Sequence, residues 1–235
     1  MASSKDYIKV LMGDDNLMSE KEYAYSDYWE KCWNNENVSE LTRYLSSWNG
    51  TKSDEMDIFI NRGIKKVCDA ACGFGAHTIA LLSNGFDVEA FDISQRAVEL
   101  TVEGLKNCGY GNVSIKVASI LNTGYEDETF DAVTAYAVID HLTKNDAEKA
   151  LQELMRIAKT GGLVLMSFDK AQKDDFEMSH SLLDDGSMLY EEGTLNGGMI
   201  FHPYEDSEIK DFVKDYRVLF CITDKKGSRI IILEK

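Results

Sequence analysis

The sequence predicts an α/β fold in which a mostly parallel sheet is covered by helices on both faces. Short apolar runs of strand length alternate with longer segments whose apolar residues recur at helical spacing. Strands that alternate with helices connect parallel neighbours, which buries both faces of the sheet. The chain has 235 residues, 44% of them hydrophobic and 28% charged, which suits one domain with a modest extension.

The first half of this pattern runs from residue 64 to residue 118. Residues 64–70 form a short apolar strand, and residues 76–84 continue as a helix that ends near Gly85. Residues 86–92 predict the second strand. Residues 95–108 predict a helix with one apolar face and Gly109 at its end, and residues 113–118 alternate as a third strand.

The second half contains the strongest helix signal. Residues 130–135 predict a fourth strand, and residues 143–159 a helix in which Thr143 and Asp146 resemble a capping box. Gly161 and Gly162 are predicted to stop this helix before a fifth strand at residues 163–168. Residues 204–214 predict another helix, and residues 217–223 and 228–234 two strands joined by "DKKG", a hairpin turn.

Two segments stand outside the alternation. Residues 1–60, rich in Tyr, Trp, Asn and charge, predict a helical N-terminal extension to a domain that spans residues 61–235. Residues 170–203 form a polar, glycine-containing insertion after the fifth strand. Such loops carry binding specificity on scaffolds of this kind, which predicts a substrate-side role for the insertion.

Charge and cysteine usage limit the function classes. The net charge of −16 opposes binding to nucleic-acid phosphates and to anionic membranes. The same charge is explained either by solubility or by attraction of a cationic substrate. An odd number of cysteines, five, without scaffold spacing indicates reduced thiols and a cytoplasmic location, and no secretory signal is visible. Cys68 and Cys72 lack a second pair or a His cluster, so no metal site is expected.

The stretch "VCDAACGFGAHT", residues 67–78, is typical of a glycine-rich turn between a strand and a helix. Such a turn lets a nucleotide-bearing ligand approach the main chain. A dinucleotide fingerprint would have a third glycine where Thr78 stands, which disfavours a pyrophosphate. Asp92 ends the second strand, where its carboxylate would either accept both hydroxyls of a ribose or cap the helix that follows; we favour the ribose.

Four segments together resemble the class I, Rossmann-like S-adenosylmethionine-dependent methyltransferases. They are the glycine-rich turn, "FDIS" at the end of the second strand, "FDAVTAYAVIDHL" and "RIAKTGGLVLMSF", in that order. The closing helix and hairpin are similar to the end of that fold. The resemblance implies a seven-stranded sheet of order 3-2-1-4-5-7-6 in which only strand 7 is antiparallel. Ala71, Ser119 and Thr160 depart from the residues usual in the family, a glycine, an aspartate and a proline.

The resemblance also implies a cofactor site for S-adenosylmethionine, with S-adenosylhomocysteine as product. Its methionine end would be lined by Asp69, Ala71, Cys72, Gly73 and Gly75, its ribose and adenine by Asp92, Ile93, Ser119 and Ile120, and its sulfonium by Ala135, Tyr136 and Ala137. Cys72 is expected to be a packing residue rather than a nucleophile.

Catalytic candidates follow from the chemistry of methyl transfer, which needs a general base only when the acceptor is protonated. The candidates are His141 and His202, each with a structural role as the alternative, and Tyr136 beside the sulfonium. In "YAYSDYWEKCW", Tyr25 and Trp33, with Tyr28 and Trp29, are expected to form an aromatic lid over the cofactor. Their spacing equally fits a plain amphipathic helix packed on the core.

The sequence thus predicts a methyltransferase for a small-molecule acceptor, with no nucleic-acid or membrane partner. Solubility is the favoured explanation of the negative charge, and a cationic acceptor is the alternative. Two alternatives remain open. One is a nicotinamide-dependent reductase, which Thr78 and the terminal hairpin disfavour. The other is a non-catalytic accessory protein that binds S-adenosylmethionine.

Overall fold

A computed structural model of the protein describes residues 20–235, with side chains from residue 24 onward. Residues 1–19, the first part of the predicted N-terminal extension, lie outside the described residues. The part that follows is helical, as predicted, and consists of α1 (Glu20–Asn34), α2 (Val38–Trp48) and α3 (Asp54–Asn61). Asn37 begins α2 because its side chain accepts the backbone N–H of Ser39 at 2.8 Å.

The elements after α3 alternate as the sequence predicts. In chain order they are β1 (Lys66–Ala70), α4 (Ala76–Ser83), β2 (Asp87–Asp92), α5 (Gln95–Asn107), β3 (Ser114–Val117), β4 (Phe130–Ala135), a 310 turn (Ile139–His141), α6 (Lys144–Ile157), β5 (Ala158–Phe168), α7 (Lys173–Glu177), β6 (His180–Leu182), β7 (Met188–Tyr190), β8 (Ile200–Phe201), α8 (Asp206–Phe212), β9 (Arg217–Thr223) and β10 (Arg229–Glu234).

Seven of these strands form one sheet of order β3-β2-β1-β4-β5-β10-β9. The strands β1 to β5 pair in parallel, whereas β10 runs antiparallel to both β5 and β9. With β9 and β10 as the sixth and seventh strands, this is the predicted order 3-2-1-4-5-7-6 with strand 7 antiparallel, and the predicted fold class is confirmed.

Helices α4, α5 and α6 bury apolar residues against the sheet. In α6 these are Ala147, Ala150, Leu151, Leu154, Met155 and Ile157. Thr143 begins this helix by accepting the backbone N–H of Asp146. Leu45 of α2 is fully buried and packs on Gly104 of α5, where an added Cβ would lie 2.6 Å from it. Part of the N-terminal extension therefore belongs to the core. From residue 20 to residue 235, no helix is long and apolar enough to cross a membrane.

The boundary between α6 and β5 differs from the prediction. The strand begins at Ala158, directly after the helix, so Gly161 and Gly162 lie inside β5 and do not stop the helix. The pairing of β4 with β5 shifts register here. An added Cβ on Gly162 would lie 2.7 Å from the carbonyl oxygen of Lys159 and 2.9 Å from that of Asp131. The glycines thus permit a bulge in which two backbones approach closely.

Residues 170–203, the predicted insertion, contain α7 and a second, three-stranded antiparallel sheet of order β6-β7-β8. Its small core consists of Met188, Tyr190, Met199 and Phe201. The insertion returns beside the 310 turn, where the backbone N–H of His202 donates to the carbonyl of Asp140 at 2.7 Å. This contact sets the small sheet over the carboxyl ends of the main strands.

Candidate active site

The turn between β1 and α4 has the open backbone that its glycines predict. Ala71, Gly73 and Gly75 all have positive φ angles, of 54°, 55° and 90°. An added Cβ on Gly75 would lie 2.7 Å from Thr101, so that position accepts only glycine. The backbone N–H of Cys72 donates to the carbonyl of Phe91 at 2.9 Å, which ties the turn to the end of β2.

Asp92 lies at that end of β2 and is almost fully buried. One carboxylate oxygen accepts the backbone N–H of Gly73 at 2.8 Å, and the other accepts that of Ser94 at 2.9 Å. The cap of α5 is Ser94, whose hydroxyl accepts the N–H of Ala97 at 3.0 Å. Since a carboxylate has about four acceptor positions, Asp92 can accept from a further donor. Burial raises its pKa to about 6.

A cavity of about 100 Å³ opens beside this carboxylate. Its walls come from the ends of β1, β2, β3 and β4, from the 310 turn and from α1. The lining residues are Tyr25, Trp29, Trp33, Ala71, Gly73, Phe91, Asp92, Ile93, Ala118, Ser119, Ile120, Leu121, Ala137, Val138, His141 and Leu142. This volume is below the ~300 Å³ at which sites for drug-sized ligands begin. We call this space the donor cavity.

Helix α1 covers the donor cavity and is attached at two points. The Tyr25 hydroxyl accepts the backbone N–H of Thr143 at 3.1 Å and donates to Asp146 at 3.1 Å. The Glu30 carboxylate accepts from the Ser94 hydroxyl at 2.6 Å and from a backbone N–H at 3.1 Å. Trp33 lies over the turn, 3.2 Å from where a Cβ on Gly73 would be. One helix therefore caps the starts of both α5 and α6.

A second cavity, of about 580 Å³, lies on the other side of α1. We call it the acceptor cavity; it is lined by Ala24, Tyr25, Tyr28, Trp29, His141, Thr143, Asn145, Leu182, Leu183, Asp184, Asp185, Leu189, Gly198 and Ile200. The two cavities share Tyr25, Trp29 and His141. These three side chains form the wall between them.

His141 occupies the centre of that wall. Its ring meets the Trp29 ring edge to face with centroids 5.2 Å apart, and its Nδ1 lies 3.4 Å from the carbonyl oxygen of Ile200. A tautomer protonated at Nδ1 donates to that carbonyl and leaves Nε2 as an acceptor. In that tautomer Nε2 is the acceptor nitrogen of a side chain that lines both cavities.

Most of the residues predicted for the cofactor do come together. Nine of them line the donor cavity: Tyr25, Trp33, Ala71, Gly73, Asp92, Ile93, Ser119, Ile120 and Ala137. Gly75 and Ala135 lie behind it, in the turn and in the core. Cys72 is in the turn, and burial raises the pKa of its thiol well above the usual value, which keeps it neutral.

Asp69 lines neither cavity. Its carboxylate accepts the hydroxyls of Thr78 at 2.6 Å and Thr134 at 2.9 Å, and burial raises its pKa to about 6. Thr78, which stands where a dinucleotide motif has glycine, is therefore occupied in holding Asp69. The Asp69 carboxylate therefore stabilises the turn through its hydrogen bond with Thr78.

Tyr136 and His202 also lie away from both cavities. Tyr136 stacks on His77 with centroids 3.6 Å apart and donates to Glu55 at 3.0 Å. His202 is buried, with Nδ1 3.2 Å from the Ser187 hydroxyl. In this arrangement each side chain has a structural partner, and neither reaches the wall that His141 occupies.

Several residues of the site carry no signal in the sequence. Glu30 reaches the start of α5 from a helix 64 positions earlier in the chain, and the acidic pair Asp184 and Asp185 comes from the polar insertion. Trp29 could be predicted from the aromatic run in the sequence, but its position between two cavities could not. Among residues 20–235, no group of three or more His, Cys, Asp or Glu side chains has the geometry to hold a metal ion.

Comparison with known proteins supports this architecture. Residues 67–162 match the family described as a methyltransferase domain. A glycine/sarcosine N-methyltransferase of Aphanothece halophytica is 30% identical over 155 residues, which cover 58% of this chain and 55% of that protein. A tRNA (carboxymethyluridine(34)-5-O)-methyltransferase of Arabidopsis thaliana is 32% identical over 110 residues, 46% of this chain and 25% of that protein. The chain thus matches about half or less of these relatives' length.

The fold is also found in solved structures. The magnesium protoporphyrin IX methyltransferase of Synechocystis PCC 6803, solved with bound S-adenosylmethionine, superposes with a TM-score of 0.58 at 17% identity, over 94% of this chain and 99% of that one. The match of residues 67–162, the strand order and the turn at the donor cavity agree with one another. Residues 67–162 therefore match a methyltransferase-domain family, and the described chain has the fold of the class I S-adenosylmethionine-dependent methyltransferases.

Proposed function

We propose that the protein transfers the methyl group of S-adenosylmethionine to a small-molecule acceptor. The observation that carries the proposal is the pair of cavities with a common wall of Tyr25, Trp29 and His141. A methyl donor in one cavity and an acceptor in the other would meet at this wall. The family match of residues 67–162 supports the donor, and the size of the second cavity supports a small acceptor.

The residues of the donor cavity suit S-adenosylmethionine. The Asp92 carboxylate would accept from the hydroxyls of a ribose, and charge-assisted bonds of this kind are the stronger ones. Ile93, Ser119 and Ile120 would flank the adenine, and the open backbone at Ala71 and Gly73 would admit the methionine end.

The cofactor, when bound, supplies a sulfonium whose methyl group is already activated for transfer. The protein's part is to align the acceptor and to exclude water, and alignment alone contributes roughly 7–11 kcal/mol in favourable cases. Trp29 and Tyr25 would exclude water at the wall. His141 would accept a proton at Nε2 from an acceptor that must lose one.

The acceptor is proposed to be small and not a nucleic acid. The glycine/sarcosine enzyme is named for small acceptors, whereas the Arabidopsis relative is named for tRNA. A net charge of −16 favours the first class, because phosphate binding needs basic surface.

Binding of S-adenosylhomocysteine, the demethylated cofactor, tests the assignment of the donor cavity. By titration calorimetry, the wild type should bind S-adenosylhomocysteine, and Asp92→Asn should weaken it by about 2 kcal/mol or more, roughly 30-fold. The matched control is Asp131→Asn. Asp131 likewise accepts two backbone N–H groups, from Lys65 at 3.0 Å and Lys66 at 2.9 Å, but it lies near the start of β4, at the amino-terminal ends of the strands. Equal losses in both variants, or tight NAD binding, would refute the assignment.

Turnover tests the transfer itself. The protein should release S-adenosylhomocysteine when incubated with S-adenosylmethionine and a suitable pool of small molecules, and His141→Gln should lower kcat with little change in cofactor affinity. Binding of cofactor without turnover on any pool would favour a non-catalytic accessory protein instead.

A further inference from the structure

The acceptor cavity has negatively charged and aromatic walls. Its ionisable lining residues include Asp184 and Asp185, and none of the side chains that line it within the described chain is a lysine or arginine. Tyr25, Tyr28 and Trp29 present aromatic surface to the same space, and the last two meet edge to face with centroids 5.0 Å apart.

The two aspartates differ in what they do. Asp185 holds the insertion together, because its carboxylate accepts the backbone N–H of Lys144 at 2.8 Å and that of Ser187 at 3.0 Å. Partial burial opposes ionisation, but these backbone N–H groups prevail and lower the pKa of Asp185. Its charge therefore persists at neutral pH. Asp184 is exposed, and no hydrogen bond or ion pair joins it to another described residue.

Lys144, whose backbone N–H contacts Asp185, does not neutralise the cavity. The Lys144 ammonium lies 2.6 Å from Glu208, with which it forms an ion pair, so its charge is already matched. An acceptor with a carboxylate or phosphate would consequently enter this cavity beside the Asp184 and Asp185 carboxylates and without a cationic partner, which disfavours it. A cation would be attracted both by the carboxylates and by the aromatic faces.

We infer that the acceptor is a small molecule that carries an amine or other cationic group and no carboxylate or phosphate. This inference rests on the proposed function, because it assigns the acceptor to the larger cavity. The cation would contact Asp184 and the faces of Tyr28 and Trp29, and the leucine side chains of the insertion, Leu182, Leu183 and Leu189, would contact its apolar part.

Matched probes test the charge preference without relying on turnover. The probes are amines of three sizes, butylamine, 2-phenylethylamine and tryptamine, each paired with the alcohol and the carboxylate of the same skeleton. Binding to the protein saturated with S-adenosylhomocysteine is measured by tryptophan fluorescence and by calorimetry. At least one amine should bind about tenfold more tightly than both of its counterparts. If none does, the inference is wrong.

A variant locates the effect. Asp184→Asn should weaken binding of the preferred amine about fivefold and leave its alcohol unchanged, since an exposed charge pair contributes modestly. Asp174→Asn, on α7 and outside both cavities, should change neither. An equal loss in both variants would show that the overall negative charge of the protein attracts the amine, and it would overturn the assigned contact with Asp184. Failure of S-adenosylhomocysteine to bind at all would refute the proposed function, whereas cofactor binding without amine preference would refute only the inference.

Discussion

Asp92 is a carboxylate with two backbone N–H donors and almost no contact with water. Burial, together with the nearby charge of Glu30, raises its pKa to about 6, against the backbone hydrogen bonds that lower it. A ribose binds the ionised form best. We therefore expect the affinity for S-adenosylhomocysteine to fall as the pH is lowered from 7 through 6 to 5, as titration calorimetry would measure.

Two variants check the source of this pH dependence. Asp92→Asn should bind weakly at every pH in that range. Asp69→Asn should retain the dependence, because Asp69 has a similarly raised pKa but lies outside the donor cavity. A dependence lost in Asp69→Asn but kept in Asp92→Asn would contradict the assignment.

The same carboxylate affects the stability of the unliganded protein. Its pKa is raised on folding, so between about pH 4 and 6 the folded state binds more protons at Asp92 than the unfolded state does. This contribution to stability is present below the unfolded pKa and is lost as the pH rises through 6, by about 3 kcal/mol in all. Relative to wild type, the unfolding free energy of Asp92→Asn should therefore increase from pH 4 to pH 7, as urea titrations would show. A constant difference would contradict the burial argument.

Single residues also show where sequence reasoning ends. Asp92 and the turn could be predicted because strand ends and positive-φ positions leave local signals. Glu30 could not, because a glutamate on a helix surface looks like any solvated charge. Only its 2.6 Å contact with Ser94, across the fold, distinguishes it.

Helix α1 is the element on which the site depends most. The donor cavity is smaller than a nucleoside ligand requires, and Trp33 lies against the turn that the ligand would occupy. We expect α1 to move outward when S-adenosylhomocysteine binds. Trp29 and Trp33 would then report binding through a change in tryptophan fluorescence, and Trp33→Phe should reduce that change. An unchanged spectrum at saturation would mean that α1 stays in place.

Removal of α1 separates a lid from simple packing. A protein lacking residues 1–36 keeps Asn37, the cap of α2, and with it the buried Leu45. We expect it to fold, as judged by circular dichroism, but to lose methyl transfer because Tyr25 and Trp29 leave the wall between the cavities. Full activity of this shortened protein would show that the aromatic residues only pack.

Predictability differed among the elements for physical reasons. Buried parallel strands are short apolar runs, so β1, β2, β4 and β5 could be predicted, although the glycines of β5 looked like a helix end. The less buried β3 was predicted from its alternation. Strands of two or three residues, such as β6 to β8, contain too few positions to show alternation. The second sheet was therefore predicted only as a polar insertion.

The net charge of the whole molecule predicts how it behaves toward nucleic acids. At −16, the protein should show no salt-sensitive retention on DNA or RNA at moderate ionic strength. Fluorescence anisotropy with labelled single strands and with tRNA would measure this. Micromolar binding that weakens steeply with added salt would contradict it and would revive the comparison with the tRNA enzyme.

The assembled site could be predicted in part. The donor cavity comes mainly from consecutive strand ends, whose convergence follows from parallel topology. The acceptor cavity joins α1, the start of α6 and the insertion, which are far apart in the chain and have no pattern in common. Their meeting point is determined by tertiary packing, which no local signal encodes.

The small sheet β6-β7-β8 pairs only with itself in the described chain, and its strands share no ladder with the seven-stranded sheet. Exchange of the insertion would therefore leave the ladders of the seven-stranded sheet intact and change the walls of the acceptor cavity, while His141 would need a new partner in place of the Ile200 carbonyl. The same separation makes residues 170–203 the segment to exchange when the acceptor cavity of this protein is to be redesigned.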